Sequence, residues 1–127
     1  MIKIFLAISI GSALGGILRW LLSTKLNPLI ALLPLGTYLS NVIASFILGI
    51  AFAYFANHYT LSPEWRLMVM TGFCGGLSTF STFSLEVMLS FQQQRYYHGF
   101  LEILIHVVST LLVTYFGMLV YQLIQNR

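Results

Sequence analysis

The chain has 127 residues, of which 58% are hydrophobic and only 7% are charged. A soluble domain of this size has too little core to bury so much apolar surface, so the composition excludes a soluble globular protein and predicts a membrane protein. The net charge of +3 comes from basic residues scattered singly along the chain, which excludes nucleic acid as a partner.

Four apolar segments are long enough to cross a bilayer, since a spanning helix needs roughly 20 mainly apolar residues. We expect helices near residues 4–24, 34–56, 64–92 and 98–124. The loops between them are too short for a domain outside the membrane. The sequence therefore predicts an all-α protein with a single transmembrane domain, residues 1–127.

The basic residues fail to favour either orientation of these spans. Three fall on the side of the two termini, and three fall on the opposite side. The first set is Lys3, Arg66 and Arg127, and the second set is Arg19, Lys25 and Arg95. Orientation normally follows the side richer in Lys and Arg, so a tie predicts insertion both ways and an antiparallel homodimer. The alternative is that Arg19 counts as intramembrane, which breaks the tie.

Small residues recur at four-residue intervals on the first two spans and indicate close helix packing. They are Ala7, Gly11 and Gly15 on the first span, and Ser45, Gly49 and Ala53 on the second. Asn41 lies one turn before Ser45. Its amide can serve either as a hydrogen bond between helices or as a pore-lining donor, and both interpretations stay open here.

The third span contains a segment that is poorly suited to lipid. From Thr71 to Ser84, nine of the fourteen residues are Gly, Ser or Thr. The adjacent Gly75 and Gly76 lower helix stability by about 1 kcal/mol each relative to alanine, and the hydroxyls compete for backbone hydrogen bonds. Irregular backbone at membrane depth must be buried in protein or face water. We therefore expect a broken helix on an ion pathway; the alternative is a tight glycine-lined helix crossing.

Two phenylalanines follow the glycines. Phe80 and Phe83 share one helix face, with Thr79 and Thr82 as a second pair beside them. Aromatic ring edges attract anions and ring faces attract cations. The spacing leaves the ring orientation open, and it also leaves open that both rings face lipid.

The fourth span carries a polar track at four-residue steps, formed by His106, Thr110 and Thr114, with Ser109 alongside. The track indicates a wet or protein-facing surface, although threonine hydroxyls can instead bond carbonyls of their own helix. His106 has no second histidine or cysteine at ligand spacing, which argues against a metal site there. No nucleophile, base and orienting group come together either, so we expect no enzyme.

Arg19, beside Trp20, allows two interpretations. Its side chain can extend to the lipid headgroups, or it can attract anions at the mouth of a vestibule.

The motif GGLSTFSTFS at Gly75–Ser84, the following Glu86, Asn41, PxGT at Pro34–Thr37 and the Arg19–Trp20 pair occur here together. This combination resembles the Fluc (CrcB) family of bacterial fluoride channels, and the similarity covers essentially the whole chain. The resemblance implies a dual-topology antiparallel homodimer with two pores. Such a dimer would export fluoride passively across the bacterial cytoplasmic (inner) membrane.

The resemblance also implies roles for individual residues. Arg19 would lie at the vestibule. The fluoride pathway would comprise Asn41, Phe80, Thr82, Phe83, Ser84, His106, Thr110 and Thr114. A structural sodium ion would lie at the dimer centre, held by the backbone carbonyls of Gly75 and Ser78 from both subunits, and main-chain oxygen suits a hard cation.

The main alternative function is a small dual-topology multidrug exporter coupled to protons. Such a transporter needs a titratable carboxylate deep in its first span, and this chain has no acidic residue before Glu64. A structural subunit of a larger complex is a further alternative, in which the broken helix would serve packing alone.

Overall fold

A computed structural model describes all 127 residues of the chain, which is helical almost throughout and contains no strand. We number its helices in chain order. They are α1 (Ile2–Leu26), α2 (Leu35–Asn57), α3 (residues 63–77), α4 (Phe80–Gln92) and α5 (Tyr96–Gln125). A short 3-10 turn, Asn27–Leu29, follows α1. The all-helical prediction is confirmed.

Three continuous helical segments are long and apolar enough to cross a membrane: Ile2–Leu29, Leu35–Asn57 and Tyr96–Gln125. They correspond to the first, second and fourth predicted spans within a few residues. The third predicted span is not one helix but two, α3 and α4. The backbone between them is extended at Ser78 and Thr79, with ψ angles of 154° and 116°.

The interruption lies within the predicted segment Thr71–Ser84, at the hydroxyl residues that follow the two glycines. Gly75 and Gly76 remain helical, at the end of α3. A Cβ added to Gly76 would crowd the backbone of Ser12 and Gly16, so this glycine lets α3 pack closely on α1. Packing therefore keeps Gly76 in the helix, and the extended backbone begins at the hydroxyl residues that follow.

Most of α3 is wider than an ordinary α-helix. A one-turn α-helix, Pro63–Arg66, leads into a π-helical stretch, Leu67–Cys74, and a final α-helical turn, Gly75–Leu77. Such π-helical turns are uncommon and often occur at functional sites. Nothing in the composition of this segment predicts them.

Glycines form the contacts between the helix pairs. A Cβ at Gly11 or Gly15 would overlap the backbone of α3, and a Cβ at Gly49 or Gly117 would overlap the partner backbone across the α2–α5 contact. The small-residue stripes of α1 and α2 thus pack against protein. Only 22 of the 127 residues are buried, and large apolar side chains cover the outside of α1 and α5. A single chain therefore needs lipid or a partner around it.

Candidate functional site

A cavity of about 280 Å³ lies beside the interruption, between α2, α4 and α5. It brings together residues that are far apart in the sequence. Its lining is Asn41, Ser45, Ser78, Thr79, Phe80, Phe83, His106, Val107, Thr110 and Leu111. Five of the predicted pathway residues line this cavity, whereas Thr82, Ser84 and Thr114 do not.

The Asn41 side chain holds the extended backbone in place. The Thr79 backbone N–H donates to Asn41 Oδ1 at 2.7 Å, and Asn41 Nδ2 donates to the Thr79 carbonyl at 3.2 Å. Both peptide groups of Thr79 are thereby satisfied at membrane depth. An amide nitrogen carries two hydrogens, so one remains for another acceptor. Asn41 therefore bonds between helices and also lines the cavity.

Thr79 is the N-cap of α4. Its Oγ1 accepts a hydrogen bond from the Thr82 backbone N–H at 3.2 Å, as capping threonines do, and donates to Thr82 Oγ1 at 3.0 Å. The Thr82 hydroxyl accepts that bond, so its own proton stays available.

Phe80 and Phe83 lie next to each other but differ strongly in exposure. Their ring centroids are 5.6 Å apart, yet Phe80 is 76% exposed and Phe83 only 5%. The His106 ring stacks on Phe83 at 4.5 Å with an interplanar angle of 21°, and Tyr38 meets His106 edge-on at 5.1 Å. The imidazole covers one face of the Phe83 ring.

The His106 side chain is buried, and neither of its ring nitrogens has a hydrogen-bond partner. A buried polar group without a partner is costly unless water or a ligand satisfies it. His106 lines the cavity, but both ring nitrogens are buried, so its ring has to rotate before a nitrogen can meet a species inside the cavity.

The hydroxyls of the predicted track bond to their own helix. Thr110 Oγ1 donates to the His106 carbonyl at 2.7 Å, and Thr114 Oγ1 donates to the Thr110 carbonyl at 2.8 Å. Ser84 Oγ similarly donates to the Phe80 carbonyl at 2.8 Å. A hydroxyl can donate to an anion only by turning away from these carbonyls. Of the three, only Thr110 already lines the cavity.

Comparison with known proteins places the chain in a family. Residues 6–118 match the family described as "CrcB-like protein, Camphor Resistance (CrcB)". The chain belongs to the CrcB family.

Curated relatives of this CrcB chain are similar over nearly their full lengths. A protein of Pseudomonas syringae pv. maculicola is 48% identical over 127 residues, which is 100% of both chains. A protein of Nitrosomonas europaea is 51% identical over 117 residues, or 92% of both chains. One from Paraburkholderia phymatum is 52% identical over 112 residues, or 88% of this chain and 89% of the relative. Each is named "Fluoride-specific ion channel FluC".

In the CrcB chain, Arg19 has a role that neither sequence interpretation anticipated. Its Nε donates to the Gly76 carbonyl at 2.9 Å, at the C-terminal end of α3. A cation is favourable at this end of a helix, where carbonyls lack partners. Arg19 therefore caps α3 immediately before the interruption, and it does not line the cavity.

The two carbonyls assigned to a cation by resemblance fit that chemistry. The Ser78 backbone N–H donates to the Cys74 carbonyl, and the Thr79 N–H donates to Asn41, so neither amide reaches the Gly75 carbonyl. The Ser78 carbonyl likewise receives none of the backbone bonds made outside the helices. Two unpaired main-chain oxygens suit a hard cation, but one chain supplies too few ligands for it.

A polar network of Asn27, Thr37 and Glu86 lies beside α4 and was not predicted from the sequence. Thr37, fully buried, donates through Oγ1 to Glu86 Oε1 at 2.7 Å. Asn27 Oδ1 accepts from the backbone N–H groups of Gly36 and Thr37 at 2.7 and 3.1 Å, which caps α2. Glu86 Oε2 is buried without a partner. The PxGT motif at Pro34–Thr37 marks the start of α2, and it was the one sequence signal that could have indicated the contact between Thr37 and Glu86.

Proposed function

We propose that this chain is a fluoride-selective channel that lets fluoride leave the bacterial cytoplasm passively. The observation that carries the proposal is the convergence of Asn41, Phe80, Phe83, His106 and Thr110 on one cavity beside the broken helix. The relatives match nearly the whole chain and share a name that specifies fluoride, which supports fluoride as the transported ion. On this proposal the protein is a channel and not an enzyme.

The donors around the cavity suit a small anion. An ion there meets the free N–H of the Asn41 amide, and the Thr110 hydroxyl and a His106 ring N–H can each turn to it by side-chain rotation. We infer that the ring edges of Phe80 and Phe83 complete the lining, because an edge carries positive charge. Several close donors replace the hydration shell without one tight site that would block exit.

The remaining pathway residues extend this lining. Thr82 offers its unused hydroxyl proton, while Ser84 and Thr114 need to release their helix carbonyls first. We place Arg19 at the vestibule as well, where its charge raises the local anion concentration while its Nε caps α3.

We propose that the working unit is an antiparallel homodimer with two pores. A lone chain leaves Phe80 76% exposed and the Gly75 and Ser78 carbonyls unpaired. A second copy, inverted about an axis in the membrane plane, would cover Phe80 and supply the other two carbonyls. Together the four oxygens would hold a structural sodium ion at the dimer centre.

We also propose a single transmembrane domain, residues 1–127, that crosses the bacterial inner membrane four times. The third crossing is formed by α3 and α4 together, which contain 28 helical residues in the ranges 63–77 and 80–92. Its short extended link is tolerated because Asn41 and Thr79 satisfy each other's polar groups inside the protein.

Fluoride and chloride efflux from proteoliposomes, followed with ion-selective electrodes, tests the function. We expect rapid fluoride efflux and chloride efflux no faster than from empty liposomes. Equal fluxes of the two ions, or no fluoride flux, would refute the proposal. The multidrug exporter gains no support from the relatives, and its signature would be proton-driven movement of a hydrophobic cation.

The dimer geometry needs a separate test. Protease-cleavable tags on both termini, in sealed vesicles, should be cut to about one half from outside, because equal numbers of copies face each way. Complete cleavage or complete protection would establish one orientation and end the antiparallel proposal.

A further inference from the structure

A second cavity lies away from the interruption, between the first turns of α1 and the start of α3. Its volume is about 450 Å³, larger than that of the cavity beside the break. Leu6, Ile10 and Met68 form its apolar floor. The Leu6 and Ile10 side chains are more than half exposed, so the groove is open to the surroundings of the helices.

The charged groups of this cavity come from the first turns of α1 and α3. Lys3 and Glu64 line it, and they are close enough to attract each other. They form no ion pair, and the Glu64 carboxylate is within hydrogen-bonding reach of Ser62 and of its own backbone N–H. Beside Glu64, Trp65 lines the cavity and is 57% exposed. Tryptophan is enriched at the depth of lipid headgroups, where a helix end of this kind lies.

We propose that this groove binds a phospholipid with an ethanolamine headgroup. Lys3 meets the lipid phosphate, the Glu64 carboxylate accepts a hydrogen bond from the lipid ammonium, and one acyl chain runs along Leu6 and Ile10. The site is separate from the fluoride path and does not depend on the proposed function.

The paired charges select this headgroup among the common phospholipids. A zwitterion carries one charge of each sign and finds a partner for both. An anionic headgroup meets Lys3 equally well, but it leaves Glu64 beside a negative charge. A choline headgroup is zwitterionic, yet its quaternary ammonium has no N–H to donate to the carboxylate.

Tryptophan fluorescence in vesicles tests the proposal directly. The chain has two tryptophans, so the full-length Trp20→Phe variant reports on Trp65 alone. Lipids with brominated acyl chains quench a tryptophan that they touch. Phosphatidylethanolamine, phosphatidylcholine and phosphatidylglycerol with identical brominated chains are compared at equal mole fraction in otherwise identical vesicles.

We expect brominated phosphatidylethanolamine to occupy the site near Trp65 roughly fivefold more strongly than either other lipid, the factor given by about 1 kcal/mol for one charge contact at a membrane surface. Lys3→Gln and Glu64→Gln, each in the Trp20→Phe chain, should remove this preference. Lys25→Gln is the matched control and should retain it. The Trp65→Phe chain reports on Trp20 instead and should show no preference.

Three results would overturn the proposal. Equal quenching of Trp65 by all three lipids would mean an unselective apolar groove. A preference for phosphatidylglycerol that is lost in Lys3→Gln but kept in Glu64→Gln would mean an anionic-lipid site. Absence of quenching by any brominated lipid would mean that a second copy covers the groove. The lipid series on Trp20→Phe decides the matter even if a charge variant fails to fold.

Discussion

Replacing Asn41 tests whether one side chain fixes the interruption between α3 and α4. Asn41→Ala removes both hydrogen bonds to Thr79, at 2.7 and 3.2 Å, and leaves two peptide groups of a buried residue unpaired. A buried group without a partner costs about 1–3 kcal/mol, whereas hydrogen bonds between transmembrane helices average about 0.6 kcal/mol. We expect the free energy of unfolding to fall by about 2 kcal/mol.

The assay is SDS titration of the protein in mixed micelles, followed by tryptophan fluorescence. Asn57→Ala is the matched control, because Asn57 Nδ2 donates to the Ala53 carbonyl of its own helix at the exposed end of α2. This change should alter the unfolding free energy by no more than about 0.5 kcal/mol. Unfolding of Asn41→Ala indistinguishable from that of Asn57→Ala would refute the reasoning.

A second variant separates stability from transport. Asn41→Asp keeps an oxygen that can accept from the Thr79 N–H, so it should lose less stability than Asn41→Ala. Its carboxylate nevertheless lies beside the anion path and loses the amide donor. Fluoride efflux should therefore fall at least about tenfold, which corresponds to roughly 1.4 kcal/mol of added barrier. Wild-type efflux in Asn41→Asp would exclude Asn41 from the path.

Three further predictions concern other parts of the molecule. Phe80→Ile and Phe83→Ile should each abolish fluoride efflux while leaving dimers intact on cross-linking. Phe83→Ile should also lower the stability of the chain, because Phe83 is buried within it. Wild-type flux in both variants would remove the rings from the mechanism. Gly15→Ala should destabilise the chain by about 2 kcal/mol in SDS titration, because the added Cβ overlaps the α3 backbone. Gly16 has open space around it, so Gly16→Ala should be neutral or stabilising by up to about 1 kcal/mol. Equal effects of the two substitutions would contradict the packing described. Thr37→Val removes the donor to the α4 carboxylate and should cost about 1–3 kcal/mol by the same titration, a loss that an unchanged midpoint would disprove.

The sequence predicted the interruption of the third span but not its position. Composition locates it within Thr71–Ser84, because glycines and hydroxyl residues weaken a helix locally. The extended residues are fixed by Asn41, 38 positions earlier, which bonds the Thr79 backbone. Local propensity contains no information about that contact, so it did not single out Ser78 and Thr79 among the glycines and hydroxyl residues of the segment.

Spacing also left the roles of polar side chains open. The track on α5 fits an ion path and fits helix back-bonding equally, because a threonine hydroxyl reaches either partner by rotation. The structure has Thr110 and Thr114 bonded to their own helix, with Thr110 at the cavity. The partners of Arg19 and Thr37 were still harder to predict from the sequence. These partners, Gly76 and Glu86, lie 57 and 49 residues away.

The interruption is held on both sides, by Arg19 at the end of α3 and by Asn41 at Thr79. Transporters with broken helices rock one bundle against another around the bound substrate. A break fastened at two points is unsuited to such rocking, so in the proposed channel an ion would cross without a rearrangement of the helices. Throughput should then rise in proportion to the fluoride gradient, with no ceiling set by a conformational cycle.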